Sequence, residues 1–404
     1  MFSRVISAAV YGIDAYIVNV ETDVGFGLPT FDMSGALGSK VREAKDRVRV
    51  AIKNSGIELT PQKIVINISP ANIRKEGTIY DLPIAIGILA ANGCFDLKIL
   101  ENVLIIGEVS LDGSINPVKG VLPMVCAAKE AGIDNCIIPK ANIAEGRIIN
   151  NINIYGVETL SQTIEILKNI AVIDGSRKNI KQADVKSGEC NKSDGNINND
   201  TYNVLERSRV KFTYGSEVKN NNHSCSYNID YSDISGQEAA KRATMIAVSG
   251  MHNIMYIGPP GSGKTMLAQR IPTIMPDMDY EEQLRLTKIY SVAGLLDSEG
   301  GIMVKRPFRN PHHTITQAAL LGGGAVPRPG EITLSEGGVL FLDEMTEFNQ
   351  VIMEALRQPL EDKVITLVRV NAAYTYPAHF MLAAAINPVS YTHLRAHETR
   401  SNLV

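Results

Sequence analysis

The segment with the clearest chemical potential is a glycine-rich run that ends in a lysine and a threonine: Gly258, Pro259, Pro260, Gly261, Ser262, Gly263, Lys264 and Thr265. An apolar run, 254–257, precedes it. Met266, Leu267 and Ile271 share one face of an amphipathic segment after it, so the pattern predicts strand, turn and helix. Glycines let several backbone N–H groups point at one anion, and the following helix adds its positive end. We predict that residues 258–266 bind the phosphates of ATP.

Two side chains of this loop have specific predicted roles. Lys264 would reach the β- and γ-phosphates, and the Thr265 hydroxyl would ligate Mg²⁺. A chance glycine-rich turn is the alternative. The spacing, the Lys-Thr pair and the flanking elements argue against it.

A second chemical feature is a pair of carboxylates, Asp343 and Glu344, that follows the apolar run 338–342. Two acids after a strand are more often a solvated strand end than a catalytic pair. Together with the phosphate loop, however, they predict that Asp343 holds magnesium through water and that Glu344 orients and polarises the attacking water.

Composition sets broader limits. A chain of 404 residues predicts two or three domains, and a net charge of −3 means that nucleic-acid contacts would come from local basic patches. The longest apolar stretch, 82–91, is too short to cross a bilayer, and the N-terminus does not have a signal peptide pattern, so we expect a cytoplasmic protein without membrane contact. Five scattered cysteines predict neither disulfides nor zinc. Neighbouring His312 and His313 should point in different directions and share no metal.

Residues 1–170 are predicted to form an α+β domain. The pattern predicts strands at 5–10, 15–20, 64–68, 103–109 and 135–138, with a hairpin turn between the first two, and helices at 40–54, 81–92 and 121–131. The helix at 40–54 has a basic face, which we interpret as a solvated surface rather than a nucleic-acid contact.

This first domain resembles the Lon-protease-like domain. The resemblance rests on Gly107–Gly113, on Ala131-Gly132-Ile133, and on Ile138-Pro139-Lys140. A Lon-type peptidase needs a serine nucleophile and a lysine that takes its proton. In this sequence Asp81 stands at the serine position and Leu122 at the lysine position. We therefore predict a non-proteolytic domain that serves docking or regulation.

Periodicity disappears between residues 171 and 228, where polar residues dominate, so we predict a flexible, disordered linker. Order returns at 229, and we assign 229–388 to an α/β P-loop core.

This core resembles the magnesium-chelatase-like AAA+ ATPases of the YifB/ComM type. The matching motifs are 306–314, 322–331 and 354–362, and the resemblance covers residues 1–388. It implies a homo-oligomeric ring, usually a hexamer, that couples ATP hydrolysis to the movement of a polymer. It also implies that Asn387, after a third strand at 380–386, contacts the γ-phosphate and the attacking water. A helix-capping Asn before Pro388 is the alternative.

Two insertions would face the central pore of such a ring. The first, 301–331, is expected to be a mobile basic loop that carries Lys305, Arg306 and Arg309. The second, 363–376, is expected to be a β-hairpin that carries Arg369. We predict that these four residues contact DNA, with pairing between subunits as the alternative.

The family pattern would continue after Pro388 with a last strand, an arginine finger and a helical lid, whereas residues 389–404 match none of these. We interpret them as a non-native tail and the core as lacking its last strand and lid; an unusual native tail is the alternative. An arginine finger accelerates hydrolysis about 10³- to 10⁵-fold, so the chain as written is expected to bind ATP weakly and hydrolyse it poorly.

Three functions remain open from the sequence. The first is an ATP-driven DNA motor of the helicase or branch-migration type. The second is the motor subunit of a metal chelatase, and the third is a nucleotide-switched scaffold. The intact Asp343-Glu344 pair argues against the scaffold, because a switch does not need a residue that polarises water.

Overall fold

The computed structural model describes residues 1–170, 229–296, 301–324, 327–369 and 372–388. These residues divide into two compact units, the first containing 1–170 and the described parts of 294–301, and the second containing the described parts of 229–293 and 302–388. The predicted linker, 171–228, and the predicted tail, 389–404, lie outside the described residues. Within the described residues no helix is both long and apolar enough to cross a bilayer.

A seven-stranded mixed sheet forms the centre of the first unit, in the order β3-β4-β2-β1-β5-β8-β9. Its strands are Phe2–Tyr11 (β1), Asp14–Gly25 (β2), Phe31–Ser34 (β3), Lys63–Ser69 (β4), Val103–Ile105 (β5), Asn135–Pro139 (β8) and Asn153–Val157 (β9). A separate two-stranded sheet pairs Glu108–Val109 (β6) with Ile115–Asn116 (β7). The helices are Ser39–Arg42 (α1), Ala44–Asn54 (α2), Asp81–Ala91 (α3), Val121–Glu130 (α4) and Ile143–Gly146 (α5), and residues 160–170 are also helical.

The predicted hairpin is confirmed, although its strands are longer than predicted. β1 and β2 pair antiparallel from Tyr11↔Asp14 outward. The predicted strand at 103–109 is wrong as one element, because β5 joins the main sheet whereas β6 turns away to pair with β7. The short edge strands β3 and β9 were not predicted.

Helices α2 and α3 differ in how much of their surface they bury. α2 buries one face, formed by Ala44, Val48, Ala51 and Ile52. Every residue of α3 is buried, which matches its continuously apolar sequence after Asp81. Removal of this apolar surface from water stabilises the fold by about 25 cal/mol per Å².

The two positions that correspond to a Lon-type dyad have structural contacts. Asp81 is the first residue of α3 and is fully buried. Both of its carboxylate oxygens accept hydrogen bonds from the Arg47 guanidinium, at 2.8 and 2.9 Å. Leu122 is buried in α4, where its backbone N–H donates to the Glu145 carboxylate at 2.9 Å. Neither side chain offers a nucleophile or a base.

The second unit contains a four-stranded sheet, in which all pairs are parallel, in the order β10-β17-β14-β11. Its strands are Ile254–Ile257 (β10), Phe308–Arg309 (β11), Val339–Leu342 (β14) and Met381–Ile386 (β17). Two small hairpins pair Gly322–Gly323 (β12) with Arg328–Pro329 (β13), and Val364–Arg369 (β15) with Ala372–Pro377 (β16). The helices are Glu238–Ser249 (α6), Lys264–Gln269 (α7), Tyr280–Ala293 (α8), Gln317–Leu321 (α9), Glu331–Leu334 (α10), Gln350–Ala355 (α11) and Arg357–Asp362 (α12).

The prediction that 301–331 is one mobile loop is wrong for its described residues. The segment contains β11, α9, β12, β13 and the start of α10. Phe308 in β11 stacks on Phe341 of β14, with ring centroids 5.8 Å apart. Long-range contacts of this kind hold a segment whose glycines and prolines suggest a loop. The predicted hairpin at 363–376, in contrast, is confirmed.

Candidate nucleotide-binding site

The predicted site residues lie at one edge of the second sheet. β17 lies between β10 and β14, and the registers pair Ile257 with Ile386 and Leu342 with Ala384. Because the strands are parallel, the phosphate loop, Asp343 and Asn387 all leave the sheet at its carboxyl edge. This edge is where ligands bind in open α/β sheets.

The loop between β10 and α7 uses a backbone conformation that favours glycine. Gly261 and Gly263 have φ values of 77° and 88°. An L-residue with a side chain is disfavoured at such angles, whereas glycine adopts them readily. α7 begins directly after Gly263. Met266 was predicted to share one face with Leu267 and Ile271; Leu267 and Ile271 are buried, whereas Met266 is 37% exposed.

Lys264 lies inside the loop. Its ammonium group donates hydrogen bonds to the carbonyl oxygens of Gly258 and Pro259, at 2.8 and 2.9 Å. The side chain is therefore folded over the turn, and its charge lies where the loop curves. Exchange of these neutral acceptors for phosphate oxygens would produce stronger hydrogen bonds, because both the donor and the acceptor would then be ionised.

Thr265 and Asp343 meet although 78 residues separate them. The Thr265 hydroxyl donates to the Asp343 carboxylate at 2.9 Å. Magnesium prefers hard oxygen ligands and takes only one or two from the protein in addition to phosphates and water. A hydroxyl and a carboxylate in contact at the end of a phosphate loop fit that requirement.

Glu344 occupies a strained turn. It has φ 52° and ψ 48°, in the left-handed region, and its backbone N–H donates to the Asp343 carboxylate at 3.0 Å. Non-glycine residues held in this region cost free energy and cluster at functional sites. The Glu344 side chain is exposed, as an acid that meets a water molecule must be.

Asn387 follows β17 directly and is half-buried. The residue before it is tied to the phosphate loop, because the Gly258 N–H donates to the Ile386 carbonyl at 3.3 Å. Asn387 thus lies between the loop and the acidic turn along the sheet edge. Its contact with a γ-phosphate stays a prediction.

One residue that contacts the loop was missed. Gln237 precedes α6 with φ 57°, and its side-chain amide donates to the Ser262 carbonyl at 3.3 Å. The sequence signal was a glycine close to a helix start, Gly236-Gln237, with Gln237 25 residues upstream of Ser262. Spacing alone did not show that this turn returns to the phosphate loop.

Two of the four predicted DNA contacts are engaged inside the unit. The Arg306 guanidinium donates to the Pro276 carbonyl at 2.6 Å and to Glu282 at 3.2 Å, and its side chain is only 9% exposed. Arg309 forms a bidentate pair with Glu331, at 2.6 and 2.7 Å. This pairing raises the pKa of Arg309. These contacts favour a structural role for Arg306 and Arg309 within the second unit rather than contact with DNA or pairing between chains.

The two insertions touch each other. Tyr376 of β16 is fully buried, and its hydroxyl donates to the carbonyl of Pro327, next to β13, at 3.0 Å. Lys305 is exposed. Arg369 lies at the end of β15, where its backbone pairs with Ala372. The DNA contacts predicted for Lys305 and Arg369 remain predictions.

His312 and His313 do not point apart as predicted. Their rings lie 4.1 Å apart in a tilted stack, because the chain is irregular after β11. His313 also contacts Phe348 edge-on, at 6.5 Å. Among the described residues no cluster of three His, Cys, Asp or Glu side chains could hold a metal ion.

Comparison with known proteins agrees with this arrangement. Family profiles described as "Magnesium chelatase, subunit ChlI" and "Subunit ChlI of Mg-chelatase" match residues 230–403 and 20–142. Competence protein ComM of Haemophilus influenzae is 36% identical over 400 residues, which cover 98% of this chain and 71% of ComM. The YifB protein of Escherichia coli is 37% identical over 398 residues, which cover 98% of this chain and 70% of YifB.

The similarity to peptidases is shorter. An archaeal Lon protease of Thermococcus kodakarensis is 31% identical over 151 residues, 36% of this chain and 23% of the protease. The two long relatives, in contrast, extend through both units, and the phosphate loop and the acidic turn meet as that architecture requires. The chain belongs to the YifB/ComM family of magnesium-chelatase-like AAA+ ATPases.

Proposed function

We propose that this chain is the ATP-hydrolysing subunit of a homo-oligomeric ring, a hexamer, that remodels or translocates DNA in the cytoplasm. The observation that carries the proposal is the contact between Thr265 and Asp343, next to Lys264 on one side and Glu344 on the other. A binding module would need the phosphate loop alone. The exposed Glu344 in a strained turn supports hydrolysis, because it adds the group that acts on water.

Each residue of the site would have a separate role in ATP hydrolysis. Lys264 would leave the carbonyls of Gly258 and Pro259 to stabilise negative charge on the β- and γ-phosphates. The Glu344 carboxylate would orient a water molecule and accept its proton during attack on the γ-phosphorus. Asn387 would hold the same water or a γ-phosphate oxygen. Thr265 and Asp343 would hold Mg²⁺, which neutralises charge on the phosphate oxygens when bound.

DNA is proposed as the polymer because each of the two insertions carries a basic residue, Lys305 in the first and Arg369 in the second. The hydrogen bond between Tyr376 and Pro327 joins the two insertions, and Lys305 in the first insertion is exposed. The name of the Haemophilus relative, a competence protein, agrees with this choice.

The test is ATP turnover with and without single-stranded, duplex and branched DNA. We expect DNA to stimulate turnover, and Lys305→Gln combined with Arg369→Gln to remove the stimulation but leave basal turnover. Arg242→Gln combined with Arg357→Gln is the matched control, because both arginines are exposed in the same unit. If no form of DNA stimulates the chain, the proposal is wrong.

A metal-chelatase motor subunit is the second candidate, favoured by the two magnesium-chelatase family profiles that match the chain. It predicts that turnover depends on a porphyrin and on the other chelatase subunits rather than on DNA. Parallel assays with protoporphyrin and with branched DNA distinguish the two functions.

A further inference from the structure

The first unit has a strongly basic face on α1 and α2. Six basic and two acidic residues lie between residues 39 and 54, a net charge of +4 in a chain whose total is −3. The exposed basic residues are Lys40, Arg42, Lys45, Arg49 and Lys53. The remainder of the chain is therefore acidic, and this face is a local exception.

Three of these side chains form a ladder. Lys45, Arg49 and Lys53 are spaced four residues apart, so they lie on successive turns of α2 about 6 Å apart along its axis. Like charges at this spacing repel each other and destabilise the helix. None of the three forms an ion pair within the described residues. Arg47, on the same helix, differs from these three residues because its guanidinium pairs with the buried Asp81 carboxylate.

The ladder is held rigidly. α2 packs into the core through the adjoining face, formed by Ala44, Val48, Ala51 and Ile52, all 0% exposed. Arg47 ties the helix to the start of α3 through two hydrogen bonds. The basic side chains thus project from a helix that is held in place by packing, and the helix keeps their charges at a repulsive spacing.

We propose that this face of the first unit, which the sequence pattern alone indicates to be a solvated surface, binds the phosphate backbone of DNA. The identity of the polymer rests on the proposed function. From Lys45 to Lys53 the ladder spans about 12 Å, and one strand of a duplex carries a phosphate per about 3.4 Å of axis, so three contacts to one strand fit. Such contacts are independent of base sequence and position the protein on DNA.

A membrane surface is a poorer partner for the same face. Helices that bind membranes insert a broad apolar face between the headgroups. The apolar face of α2 is packed in the core, and Val50, at 39%, is the exposed large apolar residue of the helix. An anionic polymer matches the charge without requiring an apolar contact.

The experiment measures binding of the whole chain to fluorescein-labelled duplex DNA without nucleotide, by anisotropy, over a series of salt concentrations. The test variant is Lys45→Gln, Arg49→Gln and Lys53→Gln together. Loss of three phosphate contacts should weaken binding and make the slope of log K against log salt shallower by about 2.7, at about 0.9 per contact. Restoration of the charges as Lys45→Arg, Arg49→Lys and Lys53→Arg should restore both quantities.

The control variant is Lys63→Gln, Lys98→Gln and Lys129→Gln, which removes the same charge from exposed positions elsewhere in the first unit. We expect its slope to equal that of the unaltered chain. The inference is overturned if the two triple variants have equal affinities and slopes, or if the unaltered chain does not bind DNA.

The motor function and the DNA-binding face can be tested independently of each other. If DNA binds through the ladder but does not stimulate ATP turnover, the proposed motor function is wrong and the proposed DNA-binding face is supported. If DNA stimulates turnover and the ladder variant keeps its salt slope, the motor stands and this surface is wrong.

Discussion

Each unit of this chain has a carboxylate at a position of chemical interest, and the two carboxylates are used differently. Asp81 in the first unit is fully buried, and Arg47 occupies both of its oxygens. Asp343 in the second unit is half-buried, and its partners are a hydroxyl and a backbone N–H. The first carboxylate is paired with a full opposite charge, whereas the second keeps its charge uncompensated.

This difference separates a structural acid from a ligand-binding acid. A buried carboxylate with a bidentate guanidinium has no lone pair directed at solvent and no charge left to attract a cation. A carboxylate held by two neutral donors keeps its negative charge, and a divalent cation can approach it. Asp81 thus forms a structural ion pair in the first unit, while the Asp343 carboxylate of the second unit is only half-buried.

The largest effect is expected at the acidic turn. Glu344→Gln removes the group that accepts a proton from water but keeps the size of the side chain. A general base contributes about 10²- to 10⁴-fold, so turnover should fall by that factor while nucleotide binding is kept. Steady-state ATP hydrolysis and equilibrium binding of a fluorescent ATP analogue measure the two quantities. Equal turnover in the variant would remove Glu344 from the mechanism.

Removal of the partner of Asp81 should lower the stability of the first unit rather than change ATP turnover. Arg47→Met leaves Asp81 buried without its partner, and loss of one member of a buried pair costs about 3–5 kcal/mol. Amide hydrogen exchange of α3 should become faster, while ATP turnover should change little. The double variant Arg47→Met with Asp81→Leu is the control, because it removes both charges and should recover protection. Unchanged exchange in the single variant would contradict the structural role of the pair.

The connection between the insertions offers a smaller test within the second unit. Tyr376→Phe leaves the Pro327 carbonyl without its donor, and an unsatisfied buried polar group costs about 1–3 kcal/mol. We expect a lower unfolding temperature of this unit and weaker stimulation of turnover by DNA. Tyr280→Phe is the matched control, because Tyr280 is 54% exposed. Equal behaviour of the two variants would show that the insertions act separately.

Titration of Asp81 should make the stability of the first unit depend on pH. Burial raises the pKa of Asp81, and the hydrogen bonds and charge of Arg47 oppose this only in part. The folded state therefore holds the proton more tightly than the unfolded chain does. The Asp81 contribution to the free energy of unfolding should fall as pH rises from about 3.9 to the raised pKa, and it should be level above that.

This pH effect is measured as the difference between the unaltered chain and Asp81→Asn, which does not titrate. A difference that declines with rising pH agrees with a raised pKa. A difference that grows with rising pH would mean that Arg47 lowers the pKa of Asp81 below its usual value.

Local patterns predicted which segments of the second unit meet at the carboxyl edge of its sheet. The glycine-rich loop, the acidic turn and the strand before Asn387 each depend on a few consecutive residues, and parallel pairing brings their ends together. Tertiary contacts were harder to predict. Arg47 and Asp81 are 34 residues apart, so no local pattern connects them. Arg306 and Arg309 are basic residues in a segment predicted to contact DNA, and their acidic partners Glu282 and Glu331 are identified only by the structure. The short strand β3, of four residues, has too little sequence to be recognised by its periodicity.

The smallest expected effect concerns Gln237, which the sequence analysis missed. Its hydrogen bond to the Ser262 carbonyl braces the phosphate loop. Loss of one such bond costs about 0.5–1.5 kcal/mol, so Gln237→Ala should weaken ATP binding by a few-fold and leave turnover at saturation nearly unchanged. Gln237→Asn is the matched variant, because asparagine tolerates the left-handed backbone but has a shorter side chain. It should bind as weakly as the alanine variant if the hydrogen bond matters. If Gln237→Asn keeps full affinity and only Gln237→Ala loses it, the backbone conformation rather than the hydrogen bond supports the loop.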